Sequence, residues 1–85
     1  MIIETDKALF VPDEDRSTDY ATEFYTEVNL STLIIRENRS LRPPEFTLYK
    51  EYKENKRIFR DRLFASSKLE KIINYVNNYL KWKLN

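Results

Sequence analysis

The clearest pattern in the chain is an alternation of residue types between positions 22 and 36. A period of two is typical of a half-buried β-strand. The segment is longer than the usual strand of about five or six residues, so it predicts either a hairpin that turns near Asn29 or one long bent strand. The expected buried row holds apolar residues and threonines at the even positions: Phe24, Thr26, Val28, Leu30, Thr32 and Ile34.

Three other segments are rich in strand formers and predict strands over residues 2–11, 46–53 and 57–64. Pro12 is expected to end the first of them, because polar residues and turn formers follow it up to residue 19. A short turn near Glu54 and Asn55 joins the last two as a β-hairpin.

The C-terminal segment predicts an amphipathic helix over about residues 68–83. Ser67 and Glu70 match the S-x-x-E capping box, in which the serine and the glutamate each satisfy a free backbone amide. Apolar residues then recur at spacings of three and four: Leu69, Ile72, Ile73, Val76 and Leu80. The predicted fold is therefore α+β, a small antiparallel sheet of four or five strands with one C-terminal helix packed on it.

Composition narrows the chemistry that is available. A chain of 85 residues with 41% hydrophobic and 34% charged residues is typical of one folded domain. It contains no cysteine, histidine or glycine. These absences exclude disulfides, Cys-rich zinc modules, Ser-His and Cys-His catalysis, and glycine-rich phosphate loops. We expect a non-enzymatic protein that has no cofactor and no metal.

The chain has no apolar run near the roughly 18 residues that span a bilayer. Its first residues also lack the basic and apolar regions of a signal peptide. We therefore expect a cytoplasmic protein that has no membrane partner.

A second stripe on the predicted helix is aromatic. Tyr75, Tyr79 and Trp82 follow one another at helical spacing, beside the aliphatic stripe. They form either part of a wide apolar face that covers the sheet or a binding surface for a protein partner or a second copy. Aromatic side chains are frequent anchors of such interfaces, so these three residues are the predicted partner-binding site.

The predicted hairpin carries basic residues interleaved with aromatic ones. Lysine and arginine neutralise phosphates and aromatic rings stack on bases, so this hairpin is an alternative site for single-stranded nucleic acid. Residues 1–45 have a net charge of −5 and residues 46–85 a net charge of +6, which indicates either two charged faces or halves that neutralise each other. The candidate residues are Lys50, Lys53, Arg57, Arg60 and Arg62.

The order of the elements resembles that of the single-stranded-DNA-binding coactivator fold, a curved four-stranded sheet with a C-terminal helix that dimerises. The resemblance lies in element order alone. It implies a dimer that holds a single strand on its sheet.

Pro12-Asp13 and Glu51-Tyr52-Lys53 match the PD…E-x-K pattern of metal-dependent nucleases, in which two carboxylates hold Mg²⁺. With 14 acidic residues and eight lysines, about 1.3 acid-x-lysine matches are expected by chance, and the chain has two. We therefore interpret the match as accidental, and the acidic residues after Pro12 as a solvated loop.

The leading prediction is a small protein-interaction module. The composition, rich in Asn, Lys, Ile and Tyr, resembles that of proteins from AT-rich bacterial or phage genomes. Phage and mobile-element accessory proteins of this style include inhibitors that bind a host protein or nucleoprotein complex, and such an inhibitor is the more specific expectation.

Overall fold

The structure is a computed structural model, and it describes residues 1–83. The chain forms a six-stranded sheet followed by one helix. A 3-10 helix, Glu14–Arg16, follows the second strand. The elements are β1 (Ile3–Glu4), β2 (Leu9–Asp13), β3 (Ala21–Val28), β4 (Ser31–Asn38), β5 (Glu45–Glu54), β6 (Arg57–Ser66) and α1 (Leu69–Lys83).

The sheet is an antiparallel meander in which the strands lie in sequence order from β1 to β6. This confirms the predicted α+β class with one C-terminal helix, although the strands number six rather than four or five. The period-two segment is a hairpin and not one bent strand, because β3 and β4 pair from Ala21 opposite Asn38 to Val28 opposite Ser31.

The predicted strand 2–11 is two strands, and Pro12 does not end the second of them. Thr5 closes a tight turn between β1 and β2, since its hydroxyl donates to the carbonyl oxygen of Ala8 at 2.9 Å and its amide donates to the same oxygen. Pro12 lies within β2, opposite Phe24. Proline is tolerated there because β1 pairs only with Leu9 and Phe10, so the outer edge of β2 needs no donor at Pro12.

The core lies between one face of the sheet and α1. Ile72, Val76 and Leu80 of the helix are fully buried, as the aliphatic stripe predicts. Burial of each such side chain contributes about 1.5–3 kcal/mol. The sheet contributes side chains from every strand: Ile3, Phe10, Phe24, Val28, Leu33, Ile35, Phe46 and Leu48, with Phe64 packed against them.

The hydrogen bonds at the start of α1 involve Ser66 and Lys68, whereas the predicted capping box consists of Ser67 and Glu70. The backbone amide of Lys68 donates to the hydroxyl of Ser66 at 3.1 Å, so the side chain that ends β6 also supports the entry to the helix. The amide of Lys71 donates to the carbonyl oxygen of Lys68.

Without glycine, the hairpin turns place other residues in the left-handed region. Asn29 has φ 55° in the β3–β4 turn, and Asn55 and Lys56 have φ 52° and 66° in the β5–β6 turn. Asparagine tolerates this conformation, but a lysine side chain does so at a cost of about 1–2 kcal/mol. Two consecutive residues of positive φ are the signature of a type I′ turn, for which Asn-Gly is the favoured sequence.

We therefore expect Lys56→Gly to stabilise the protein. Glycine removes the strain at φ 66° but gives the unfolded chain more freedom, so the net gain in the free energy of unfolding is about 0.5–1 kcal/mol. Urea denaturation measures it. The matched control is Lys53→Gly, within β5, which is expected to destabilise. Equal effects of the two substitutions would contradict the assignment of strain to Lys56.

Candidate protein-binding surface

The face of the sheet opposite α1, here called the open face, carries a cluster of charged side chains centred on Glu23. Glu23 is only 3% exposed. Arg60 donates to both of its carboxylate oxygens, at 2.9 and 3.2 Å, and Arg36, its cross-strand neighbour, donates at 3.1 Å. A buried carboxylate is stable in its charged form only with such partners.

The contact between Arg60 and Glu23 is a diagonal across the sheet. The strand register aligns Arg60 of β6 with Glu27 of β3 and not with Glu23, and β4 and β5 lie between β3 and β6. A flat sheet would hold β3 and β6 about 14 Å apart. The sheet must therefore twist and coil toward the open face for the two side chains to meet. The guanidinium of Arg60 crosses the ring of Tyr49, with its Cζ 5.1 Å from the ring centroid.

Glu51 extends the cluster to the 3-10 helix. It accepts a hydrogen bond from Arg60 at 2.9 Å and two from Arg16, at 2.9 and 3.1 Å. Arg16 also lies 3.8 Å from the carboxylate of Asp13. Three arginines thus face three carboxylates, and the cluster carries no net charge.

These contacts set the ionisation of the two glutamates. Burial opposes the charged form of Glu23, but the hydrogen bonds and charges of Arg60 and Arg36 outweigh burial and lower the pKa of this carboxyl. The pKa of Glu51 is lowered in the same way, because Arg60 and Arg16 outweigh its desolvation. The same carboxylates raise the pKa of Arg60.

The geometry also bears on the nuclease-like pattern. Asp13 and Glu51 line one cleft of 140 Å³, so the fold does bring the two carboxylates of the pattern together. The guanidinium of Arg16 lies between them and contacts both. A fixed cation therefore occupies the place that the pattern assigns to a metal ion. Among residues 1–83, no cluster of three or more acidic side chains is placed to hold one.

A second feature lies at the end of the molecule where the β3–β4 turn, the β5–β6 hairpin and the C-terminal part of α1 meet. Tyr79, Tyr52 and Leu30 line a cleft of 380 Å³ together with Val28, Asn29, Ser31, Lys50 and Lys53. A recess between Leu30 and Ile58 adjoins it on one side, and a recess between Tyr79 and Trp82 adjoins it on the other. We call this continuous region the distal surface; its apolar members are Leu30, Tyr52, Ile58, Phe59, Tyr79 and Trp82.

The predicted aromatic stripe divides between core and surface. Tyr75 stacks on Phe64 with ring centroids 4.9 Å apart, so it takes part in covering the sheet. Tyr79 is half-buried and lines two of the recesses. Trp82 is 82% exposed. Of the three predicted residues, Trp82 is the one that projects into solvent, while Tyr79 joins it to the cleft.

Sequence reasoning missed two apolar members of this surface. Leu30 was expected in the buried row, but it is 99% exposed because it lies in the β3–β4 turn. Ile58 was expected only as part of a strand, and it is 64% exposed near the tip of the hairpin. Residues 53–58 project beyond the sheet, since the last pair between β4 and β5 is Ser31 opposite Tyr52. The signal in the sequence is Asn29, which tolerates the left-handed conformation of a tight turn. An apolar residue next to it, Leu30, is then expected in the turn and exposed.

The surroundings of the distal surface are basic. Lys50 and Lys53 line the cleft, and the Nζ atom of Lys50 lies 5.7 Å from the ring centroid of Tyr52. Lys56 and Arg57 are exposed on the projecting hairpin. Asp61 is the main acidic neighbour: partial desolvation, followed by the charges of Asp61 and Glu54, raises the pKa of Tyr52.

The five residues of the nucleic-acid alternative do not share one face. Successive residues of a strand point to opposite sides of a sheet. The register accordingly places Lys50 and Arg57 on the side of α1 and the other three, Lys53, Arg60 and Arg62, on the open side. Arg60 is moreover engaged by two carboxylates.

Comparisons with known proteins identify no relative: no family model, no curated protein and no solved structure matches this chain. The helix described here, Leu69–Lys83, is too short and too polar to cross a membrane.

Removing the charge of Glu23 tests the role of the open-face cluster. Glu23→Gln leaves Arg36 and Arg60 without their buried counter-charge, so the free energy of unfolding should fall by about 1–3 kcal/mol at neutral pH. The matched control is Glu27→Gln, on the same strand and face but exposed, which should change it by less than about 0.5 kcal/mol. Urea denaturation measures the free energy of unfolding of both variants. Equal decreases would show that the ion pairs of Glu23 do not stabilise the fold.

The same variants give a pH dependence. The pKa of Glu23 is lowered in the folded state from its ordinary value of 4.5, so its stabilisation is complete above that pH. It is lost as the pH falls through the lowered folded value, because the unfolded chain then binds the extra proton. The stability difference between the parent and Glu23→Gln should therefore shrink between neutral pH and about pH 3. A difference that stays constant over this range would contradict the ionised state assigned to Glu23.

Proposed function

We propose that the protein is a non-enzymatic interaction module that binds an acidic region of a partner protein through the distal surface. The observation that carries this proposal is the exposure of large apolar side chains on three adjoining recesses at one end of the molecule. Scattered exposed apolar residues are ordinary on protein surfaces, but a continuous group around a cleft is typical of interaction sites.

The distal surface has the residue composition of an interface centre, and part of it is held in place. Trp82, Tyr79 and Tyr52 belong to the residue types that anchor interfaces, because they bury a large area with few rotatable bonds. Tyr52 is held by stacking on Phe59, with centroids 5.5 Å apart, and the backbone of Leu30 is held in a two-residue turn. Groups that are fixed before binding lose little entropy when a partner arrives.

Charge selects the chemistry of the partner. Lys50 and Lys53 line the cleft, and Lys56, Arg57 and Lys81 are exposed around it. A partner that presents carboxylates around an apolar protrusion complements this arrangement. Positive charges at the rim of an interface mainly speed association, so binding should weaken as salt rises.

The open-face cluster supports a function without catalysis. Its carboxylates are held by arginines, and its cleft of 140 Å³ is smaller than the roughly 300–1,000 Å³ of ordinary ligand pockets. The composition extends the proposal to an accessory protein of a phage or mobile element, which inhibits a host protein or nucleoprotein complex by covering part of it.

Two substitutions test the surface. The immobilised protein is used to capture proteins from a bacterial lysate, and each captured protein is then purified and titrated against the variants by calorimetry. Trp82→Ala and Leu30→Ala should each weaken binding of the true partner by about 30-fold, the loss expected of interface anchors.

Matched controls lie at the opposite end of the sheet. Tyr20 and Leu41 are also exposed, so Tyr20→Ala and Leu41→Ala should leave the affinity unchanged. A partner that binds all four variants like the parent would refute the distal surface as its site. If purified single-stranded DNA or RNA instead binds the parent and the affinity falls steeply with salt, the nucleic-acid alternative replaces this proposal.

A further inference from the structure

The strand β6 is a long free edge of the sheet. It pairs with β5 on one side, and no other strand of residues 1–83 pairs with its outer side. Its first six residues, 57–62, are all exposed, whereas residues 63–66 are half-buried near α1. Alternate backbone N–H and C=O groups of an edge strand point away from the sheet, so they offer a ladder to a further strand.

We infer that this edge binds the same edge of a second copy of the chain, in an antiparallel dimer with Phe59 on the two-fold axis. The inference is argued from β6, whose Ile58 and Phe59 also belong to the distal surface, but it does not require that surface to bind another protein. It differs from self-association through the aromatic stripe of the helix.

Symmetry limits the possible registers. A two-fold axis that pairs two antiparallel edge strands stands perpendicular to the sheet, so each residue pairs with one on the same face of the second copy. The axis then passes through one residue of β6, which meets its own copy. Each choice of that residue fixes every other pair.

Charge distinguishes among the choices. With Phe59 on the axis, Arg57 stands opposite Asp61 of the second copy, and this favourable pair occurs twice. With Arg60 on the axis, two arginines meet. With Asp61 on the axis, two aspartates meet and Arg60 stands opposite Arg62. Like charges directly opposite each other destabilise a sheet, and a register centred on Ile58 places Arg57 opposite Phe59 without an ion pair, so the register centred on Phe59 is selected by its two attractive pairs.

The apolar contacts agree with that register. Phe59 is 39% exposed beside Tyr52, and its ring meets the Phe59 ring of the second copy on the side of α1. On the open face, Ile58 packs against the aliphatic part of Arg60 of the second copy.

The irregularity in β6 sets the length of the contact. Arg62 pairs with Tyr49 and Phe64 with Leu48, so Leu63 is an extra residue that interrupts the ladder. In the selected register, Arg62 faces Lys56 of the second copy, but this like-charge pair falls at the margin of the contact, because Lys56 is in the hairpin turn and Arg62 adjoins the irregularity. The regular part of β6 therefore ends opposite the hairpin turn of the second copy, and α1 lies beyond the contact.

Cysteine cross-linking tests the register directly. The chain has no cysteine, so Phe59→Cys introduces a single thiol on the proposed axis. Facing Cβ atoms in an antiparallel pair are about 4.5–5.5 Å apart, so mild oxidation should join two chains within the dimer. Ser40→Cys, in the exposed β4–β5 loop, is the control and should not cross-link in excess of random collision.

Charge reversal gives a second test with the full-length chain. Arg57→Asp and Asp61→Arg each place like charges opposite each other, so each variant alone should dimerise about tenfold or more weakly in sedimentation equilibrium. A mixture of the two restores both attractive pairs and should form a mixed dimer of parental strength. Lys53→Asp makes the same charge change as Arg57→Asp on β5, outside the contact, and should leave the parental dimer unchanged. Circular dichroism establishes that each variant is folded.

Two results would overturn the inference. One is a parent protein that stays monomeric up to about 1 mM, the weak limit of a specific association. The other is a dimer that neither cross-links through position 59 nor responds to the charge reversals. A dimer lost on Trp82→Ala, with the charge variants unaffected, would place the contact on the helix instead.

Discussion

The buried carboxylate of Glu23 is the constraint around which the open face is organised. A charge removed from water needs counter-charges, and here they come from Arg36 on the next strand and from Arg60 on the far edge. Because Arg60 reaches Glu23 only diagonally, the ion pair and the coil of the sheet require each other. Glu51 and Arg16 then fasten the 3-10 helix to the same cluster.

The two faces of the sheet consequently have different uses. The face toward α1 buries aliphatic and aromatic side chains, while on the open face the charged side chains pair with one another in salt bridges. Among the described residues, no buried side-chain nitrogen or oxygen is left without a hydrogen bond. A group of exposed apolar side chains lies at the projecting hairpin, the β3–β4 turn and the end of the helix: Leu30, Ile58, Phe59 and Trp82.

Local sequence patterns predicted the secondary structure elements better than the burial of individual side chains. The helix, the β5–β6 hairpin and the buried aliphatic stripe follow from local sequence patterns, because each depends on neighbours within a few residues. The β3–β4 hairpin was one of two alternatives, the other being a single bent strand. Leu30 was misplaced because a period of two does not show where a chain reverses, and Asn29 reverses it without glycine. Glu23 stands at an odd position, on the side opposite the predicted buried row, yet it is buried. Its burial depends on Arg60, 37 residues away, which no local pattern contains.

The two edges of the meander are unequal, and this bears on how copies of the chain can assemble. One edge is the ten-residue β6, and the other ends in β1, a strand of two residues. Two long edges would let copies add end to end without limit, as in fibres. A sheet that can be extended on one side only has no second template after the first pairing. If two copies pair through β6 as inferred above, association through strands is self-terminating, and it stops at a closed pair instead of growing into a filament.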